Sequence, residues 1–314
     1  MSDGALLLLG VSGTEIRSAE AELFLRLQPA GFILTEQNLA SPAQVRKLTD
    51  SLRDLSTDEP LIAISQEGGH TSPLARIAPA GPSASELATR GDLGKIADSG
   101  AFTADLLRLL GINLNIAPSL DSSTLGWSDD PQRVIDRAGQ WNRWMRKRSI
   151  AGCAKHFPAG GPPPSPATIE SLLRGGILPY TALMPEIDAV MTGNVRFPNI
   201  DPEFPASLSQ RIVRGFLRDQ LGFDKHLVLT EISDVERAIR AGNDLVILRR
   251  PGDEAQAACA AIAAVPHWMI DDARIRLDRF RKKKLHAPLK WSEEKWAAAR
   301  GSLETLAAEF SGEA

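Results

Sequence analysis

"GFILTEQNLASPAQVRKLTDSLRDL", Gly31 to Leu55, holds a complete structural unit. Its first four residues are apolar throughout rather than alternating, which suits a strand covered on both faces, as in a parallel sheet. Ser41 and Pro42 then form a helix start, a hydroxyl cap followed by a proline whose missing N–H costs nothing in the first turn. Val45, Leu48, Leu52 and Leu55 follow at helical spacing on one face. A buried strand followed by an amphipathic helix is the expectation for this segment.

The same order recurs along the chain. The strand-length runs are "ALLLLGV" (5–11), "GFILT" (31–35), "LIAIS" (61–65), "INLNIAP" (112–118), "GCAKHF" (152–157), "AVMTGN" (189–194), "LVLTE" (227–231) and "DLVIL" (244–248). Between them, "DPQRVIDRAGQWNRWMRKR" starts with Asp130 as cap and Pro131 after it. "SLSQRIVRGFLRDQLGF" offers Ser207 or Ser209 as cap and stops at Gly222. Eight strand–helix alternations predict an α/β fold, a single (β/α)8 TIM-type barrel rather than a doubly wound sheet. "GVSGTE" lacks the third glycine of a dinucleotide-binding turn. After the last run, "IDDARIRLDRFRKKKL" and "SEEKWAAARGSLETLAAEF" predict additional C-terminal helices outside the barrel. The expected division is a barrel over residues 1–285 and a C-terminal helical extension over 286–314 packed on it. The basic run Arg279 to Lys284 reads as a solvated helix end.

With 314 residues and 43% hydrophobic content the chain can bury a large core. Lys and Arg total 36 against 39 Asp and Glu, a net charge of -3, so no basic surplus points to nucleic acid. "MSDGALLLLG" is too short to span a membrane and lacks the basic region of a signal peptide, so the expected location is cytoplasmic. Two cysteines, Cys153 and Cys259, argue against a disulfide framework, and Cys153 sits in an apolar run as a small core residue. Neither a metal nor a cofactor is expected.

In such a barrel, side chains at the C-terminal strand ends point into the site. That rule selects Gln37, Asn38, Ser65, Gln66, Glu67, Asn115, Lys155, His156, Asn194 and Glu231. The set is rich in amides and poor in carboxylates, which suits hydroxyls and amides, and so a sugar, better than a phosphate. "RRPG" offers the phosphate alternative through Arg249, Arg250 and a helix N-terminus.

Seven stretches carry a recognisable order: "GFILTEQNLASPAQV", "IAISQEGGH", "INLNIAPSLD", "CAKHFP", "AVMTGNVRFPNIDP", "LSQRIVRGFLRDQLGF" and "LVLTE". Together they resemble glycoside hydrolase family 3, and within it the single-domain bacterial β-N-acetylglucosaminidases or β-hexosaminidases. The resemblance implies retaining hydrolysis, with a carboxylate attacking the anomeric carbon and a second group serving as acid and then base. It places the nucleophile, an Asp in the family, at Glu231; capping of the next helix is the alternative role there. The family's His–Asp acid/base falls at Ala159, Gly160, Gly161 and Pro162, none of which carries a proton. Ser65 and His70 replace a family Asp and Arg that hold substrate, Asn194 replaces a His, and "GWSDDP" lacks an expected Arg. Glu67, Lys155, His156 and Asn38 remain. For Lys155 and Glu67, sugar contact and a structural ion pair both stay open. The implied function is an amino-sugar-binding pseudoenzyme with hydrolysis absent or strongly impaired; the alternative is an active enzyme using Glu231. A small carbohydrate is the expected partner, with no nucleic acid and no membrane, and a protein partner is left open.

Overall fold

Each of the eight apolar runs forms a parallel strand in the computed structural model, which describes residues 4–121, 126–159, 167–250 and 252–311. The strands are β1 (Leu7–Gly10), β2 (Gly31–Ile33), β3 (Leu61–Ile64), β4 (Leu114–Asn115), β5 (Ala151–Phe157), β6 (Ala189–Thr192), β7 (Leu227–Glu231) and β8 (Leu245–Leu248). They close in sequence order, with Leu8 opposite Gly31 of β2 on one side and Ile247 of β8 on the other. The (β/α)8 expectation is met. β4 is shorter than its sequence run, but its ladder continues irregularly through Cys153 N–Ala117 O and Lys155 N–Pro118 O, both 3.1 Å.

The unbroken apolar character of the runs follows from burial on both faces. Leu8, Ile33, Ala63, Leu114, Cys153, Ala189, Leu229 and Ile247 pack together inside the barrel. Their neighbours Leu7, Phe32, Ile64, Val190, Val228 and Val246 pack outward among the helices. The expected helix starts are present. Ser41 accepts from Gln44 N at 3.3 Å at the head of helix Pro42–Asp54, and Asp130 accepts from Gln132 N at 2.9 Å before helix Pro131–Lys147. Ser209, rather than Ser207, serves the third: it accepts from Ile212 N at 3.2 Å at the start of a π-helical segment, Arg211–Gln220. Gly222 ends that segment at φ +82°, a left-handed conformation that glycine adopts without Cβ strain.

The helix His267–Lys284 does more than lie outside the barrel. Its Leu277 and Phe280 join the inner cluster, and its cations reach the N-terminal ends of several strands. Arg276 Nε bonds Asp244 Oδ1 at 2.7 Å before β8, Lys284 Nζ bonds Asp188 Oδ1 at 2.6 Å before β6, and Arg281 donates to Ala30 O at 3.2 Å before β2. The basic run is therefore not simply solvated, because Lys284 serves a carboxylate whose side chain is only 2% exposed. Asp244 is fully buried and is also held by Arg218 Nη2 at 2.7 Å and Val228 N at 2.8 Å. The helix Glu293–Ser311 buries Trp296, Leu303, Leu306 and Phe310 and packs along helix Leu93–Leu109. Among the described residues no helix is long and apolar enough to cross a membrane.

His226 lies in the same end of the barrel, its ring tilted at 48° to that of Phe223 with centroids 4.6 Å apart, and its Nδ1 is buried and lacks a hydrogen bond among the described residues. Burial pushes its pKa below the ordinary imidazole value. The fold therefore binds fewer protons here than the unfolded chain once pH falls below about 6.5, and stability is lost as pH drops through that window. Urea unfolding between pH 7 and 5.5 is expected to show this loss, and His226→Gln to make it shallower. An unchanged slope would mean that His226 does not contribute. In the same assay at pH 7, Arg276→Met is expected to cost about 3 kcal/mol by leaving Asp244 short of a partner. Lys282→Met, on the exposed side of the same helix, should stay within about 0.5 kcal/mol.

Candidate active site

The polar residues at the C-terminal strand ends separate into two groups. Asn38 is fully buried; its Nδ2 donates to Val11 O and Gly13 O, both at 2.8 Å, and its Oδ1 accepts from Thr35 N. Gln37 also bonds Val11 O. Gln66 is closed in by Ser72 and Leu74 N, and Asn115 exchanges bonds with the Gln66 backbone at 2.9 Å in each direction. These amides hold loops together, so the amide-rich mouth expected from the sequence is largely internal structure.

The second group forms a continuous chain of contacts around the mouth. Lys155 Nζ, at the end of β5, bonds Glu67 Oε2 at 2.8 Å and Ser65 Oγ at 2.8 Å, both beyond β3. Glu67 Oε1 accepts from Ser119 N at 2.8 Å, beyond β4. Ser119 Oγ donates to Asp121 Oδ2 at 2.8 Å, and the same Oδ2 lies 3.0 Å from His156 Nδ1. Lys155 is 6% exposed, so its charge is stabilised by Glu67 rather than by water. Burial opposes ionisation of Asp121, but the hydrogen bonds from His156 and Ser119 outweigh it and hold the carboxyl below its ordinary pKa.

A register shift between Lys155 and Phe157 in the β5–β6 ladder breaks the alternation of β5. Phe157 turns outward, with its ring 5.3 Å from Tyr180 and 6.0 Å from Phe216. Lys155 and His156 are thereby left together at the mouth. The Lys155–His156 peptide is cis. Gly193, at the end of β6, makes room for this corner: a Cβ there would stand 3.2 Å from His156 Cβ and 3.1 Å from Ala159 O.

Beyond it, Asn194 Nδ2 donates to Glu231 O at 2.9 Å and its Oδ1 accepts from Ser207 Oγ. Glu231 does not cap the following helix. Asp234 does, accepting from Arg237 N at 3.1 Å. Both carboxylate oxygens of Glu231 are instead taken by Arg249, at 2.5 Å to Nε and 2.8 Å to Nη2. This corrects the phosphate alternative as well. Arg249 is engaged by a carboxylate, Arg250 is exposed, Pro251 lies outside the described residues, and helix Asp253–Ala263 opens with Asp253 and Glu254, which repel an anion.

The structure thus brings Ser65, Glu67, Lys155 and His156 into one network, and Asn194 with Glu231 into the adjoining one. His70 stands apart: it is exposed on the turn Gly69–Thr71. Nearby, the Glu86 carboxyl is held low chiefly by hydrogen bonds from Ser83. The strand-end rule selects Asn115 from the fourth run and passes over Ser119 and Asp121, which lie just beyond its end at Pro118. The ladder runs on to a bridge between Ser119 and Lys155, and an acid closing "INLNIAPSLD" was the available signal. Of the positions expected to hold an acid/base, Ala159 has no proton to give, and residues 160–162 lie outside the described residues. Among the described residues no group of three or more His, Cys, Asp and Glu is placed to hold a metal.

Residues 4–266 match the family described as glycosyl hydrolase family 3 N terminal domain. The chain is 28% identical over 286 residues to a beta-hexosaminidase of Pseudomonas aeruginosa (strain LESB58), covering 82% of this chain and 86% of that one. It is 30% identical over 241 residues to a beta-hexosaminidase of Xanthomonas campestris pv. campestris (strain B100), covering 69% and 72%. A glycoside hydrolase family 3 beta-N-acetylglucosaminidase from Paenibacillus sp. str. FPU-7 superposes with a TM-score of 0.84 at 27% identity, over 97% of this chain and 68% of that one. NagZ from Neisseria gonorrhoeae, in complex with N-trifluoroacetyl-D-glucosamine, shares the fold with a TM-score of 0.81 at 20% identity, over 97% and 98%.

Lys155→Met is expected to destabilise the protein by about 3 kcal/mol, because Glu67 loses its cation. Adding Glu67→Gln should return at least about 1 kcal/mol. Thermal unfolding of the two variants checks this, and additive losses would show that the pair is not coupled.

Proposed function

The chain belongs to glycosyl hydrolase family 3, and from that premise we propose that it is a β-hexosaminidase-like protein that binds an amino sugar with hydrolysis lost or strongly impaired. The observation carrying this reading is the bidentate engagement of Glu231 by Arg249 at the position where the resemblance calls for an Asp nucleophile. Attack on an anomeric carbon needs a carboxylate oxygen free and aimed. Glu231 has a longer side chain than Asp, and both its oxygens face a guanidinium. A displacement near 1 Å costs on the order of 100-fold in rate. The sequence Ala159-Gly160-Gly161-Pro162 adds a second deficit, since no residue there protonates a leaving group.

The binding half of the site is better supplied. Lys155 uses two of its three N–H bonds on Ser65 and Glu67, leaving one for a ligand among the described residues. His156 presents a side chain that is 36% exposed beside it. The beta-hexosaminidase relatives and the sugar analogue bound by the gonococcal protein support an amino sugar as ligand. The buried thiol of Cys153 supports a reducing, cytoplasmic setting.

An active enzyme using Glu231 is the competing reading. It is favoured by the exposure of the pair, 46% for the Arg249 side chain and 32% for Glu231, since a solvated ion pair is worth about 1 kcal/mol or less and releases readily. The two separate in a turnover assay with an aryl β-N-acetylglucosaminide, whose leaving group needs little protonation. The expected rate is below about 0.01 per second, against roughly 1–10³ per second for ordinary enzymes. Glu231→Asp alone should leave it there, because hydrolysis of the glycosyl-enzyme would still lack a base to activate water. Turnover at about 1 per second or faster would establish the active reading. Calorimetry with N-acetylglucosamine should show binding that His156→Ala removes.

A further inference from the structure

We infer that Asp121 sets the hydrogen-bonding polarity of the mouth by holding the His156 ring in its Nδ1–H form, so that Nε2 meets a ligand as an acceptor. The inference rests on the amino-sugar reading for the identity of the ligand, but not for the state of the ring. Three contacts carry it. Asp121 Oδ2 lies 3.0 Å from His156 Nδ1, Asp121 Oδ1 accepts from the His156 backbone N at 3.4 Å, and Ser119 Oγ donates to Oδ2 at 2.8 Å. The carboxyl is thus gripped from two sides and in turn grips both the backbone and the ring of His156.

An ionised carboxylate has no hydrogen to give, so a hydrogen bond at Nδ1 requires the hydrogen to sit on the ring. The bond made by one imidazole nitrogen decides the state of the other. In the neutral ring Nε2 is then a lone-pair acceptor, and among the described residues it has no partner. Asp121 favours this state because it remains a carboxylate: hydrogen bonds hold its pKa low against its burial.

The consequence is a matched pair on consecutive residues. Lys155 offers one remaining N–H as a donor, and His156 offers Nε2 as an acceptor. Two neighbouring hydroxyls of a pyranose satisfy both, one accepting from Lys155 and the other donating to His156. A ligand group that accepts but cannot donate is rejected at the second position, because it leaves the Nε2 lone pair unpaired. Asp121 acts here through His156 and is a positioning residue rather than a catalytic one.

Asp121→Asn tests this with almost no change of shape. Its amide is expected to turn an N–H toward Nδ1, which moves the ring hydrogen to Nε2 and reverses the polarity at the mouth. Two measurements follow at pH 8. Imidazole nitrogen NMR, with His156→Ala to assign the signal, should show the Nδ1–H form in the parent protein and the Nε2–H form in Asp121→Asn. Calorimetry with N-acetylglucosamine and its 3-, 4- and 6-deoxyfluoro analogues should show one analogue bound roughly tenfold more weakly by the parent, since fluorine cannot donate. That deficit should shrink to about twofold or less in Asp121→Asn. An Nε2–H ring in the parent, an Nδ1–H ring that persists in the variant, or an unchanged fluorine deficit would overturn the inference. Failure of every sugar to bind would remove the amino-sugar reading while the NMR still decides the ring. If Asp121→Asn does not fold, the parent spectrum alone decides it.

Discussion

The pairing of β8 with β1, Val246 opposite Leu7 and Leu248 opposite Leu9, removes the last open edge of the sheet. Short strands of this kind, apolar on both faces, could not remain unpaired in water. Closure also forces all eight C-terminal ends onto one rim. Residues as distant in sequence as Ser65 and Lys155, or Glu231 and Arg249, meet only because their strands are staves of one ring. Every functional statement about this chain depends on that geometry.

The two ends of the barrel use charge differently. At the N-terminal end Asp188 and Asp244 are almost fully excluded from water and each is held by two cations, one of them from the helix His267–Lys284. Such buried pairs are costly to break, and they tie the closing helix to the strands. At the mouth the groups around the buried Lys155 are partly solvated. The side chains of Glu67, Asp121 and His156 are 24%, 21% and 36% exposed, which leaves them able to exchange an internal partner for a ligand. Buried ion pairs thus sit at one end and a partly exposed polar network at the other, the rim where barrels of this fold carry their sites.

Within the mouth, the two sides are built differently. The β3–β4–β5 network of Ser65, Glu67, Ser119, Asp121, Lys155 and His156 is fully cross-linked and holds its members in fixed directions. The β6–β8 side pairs the Glu231 carboxylate with Arg249 and gives the amide of Asn194 internal partners. A barrel tolerates variation at this rim because its fold is secured by closure and by the far end.

Much of this was legible in the sequence. Eight apolar runs with helices between them specify a closed parallel barrel, because only burial on both faces accounts for strands without alternation. Ser41–Pro42 and Asp130–Pro131 mark helix starts by local chemistry alone, and the family resemblance lies in short motifs of contiguous residues. The partners at the mouth were not legible. Nothing local distinguishes Asn38 and Asn115, which tie loops together, from Lys155 and His156, which face the opening. Nothing local pairs Glu231 with Arg249, or Asp121 with His156. Those contacts join residues on different strands, and their distances are set by the register and curvature of the closed sheet. Local propensity belongs to the chain, whereas the identity of a side chain's partner belongs to the barrel.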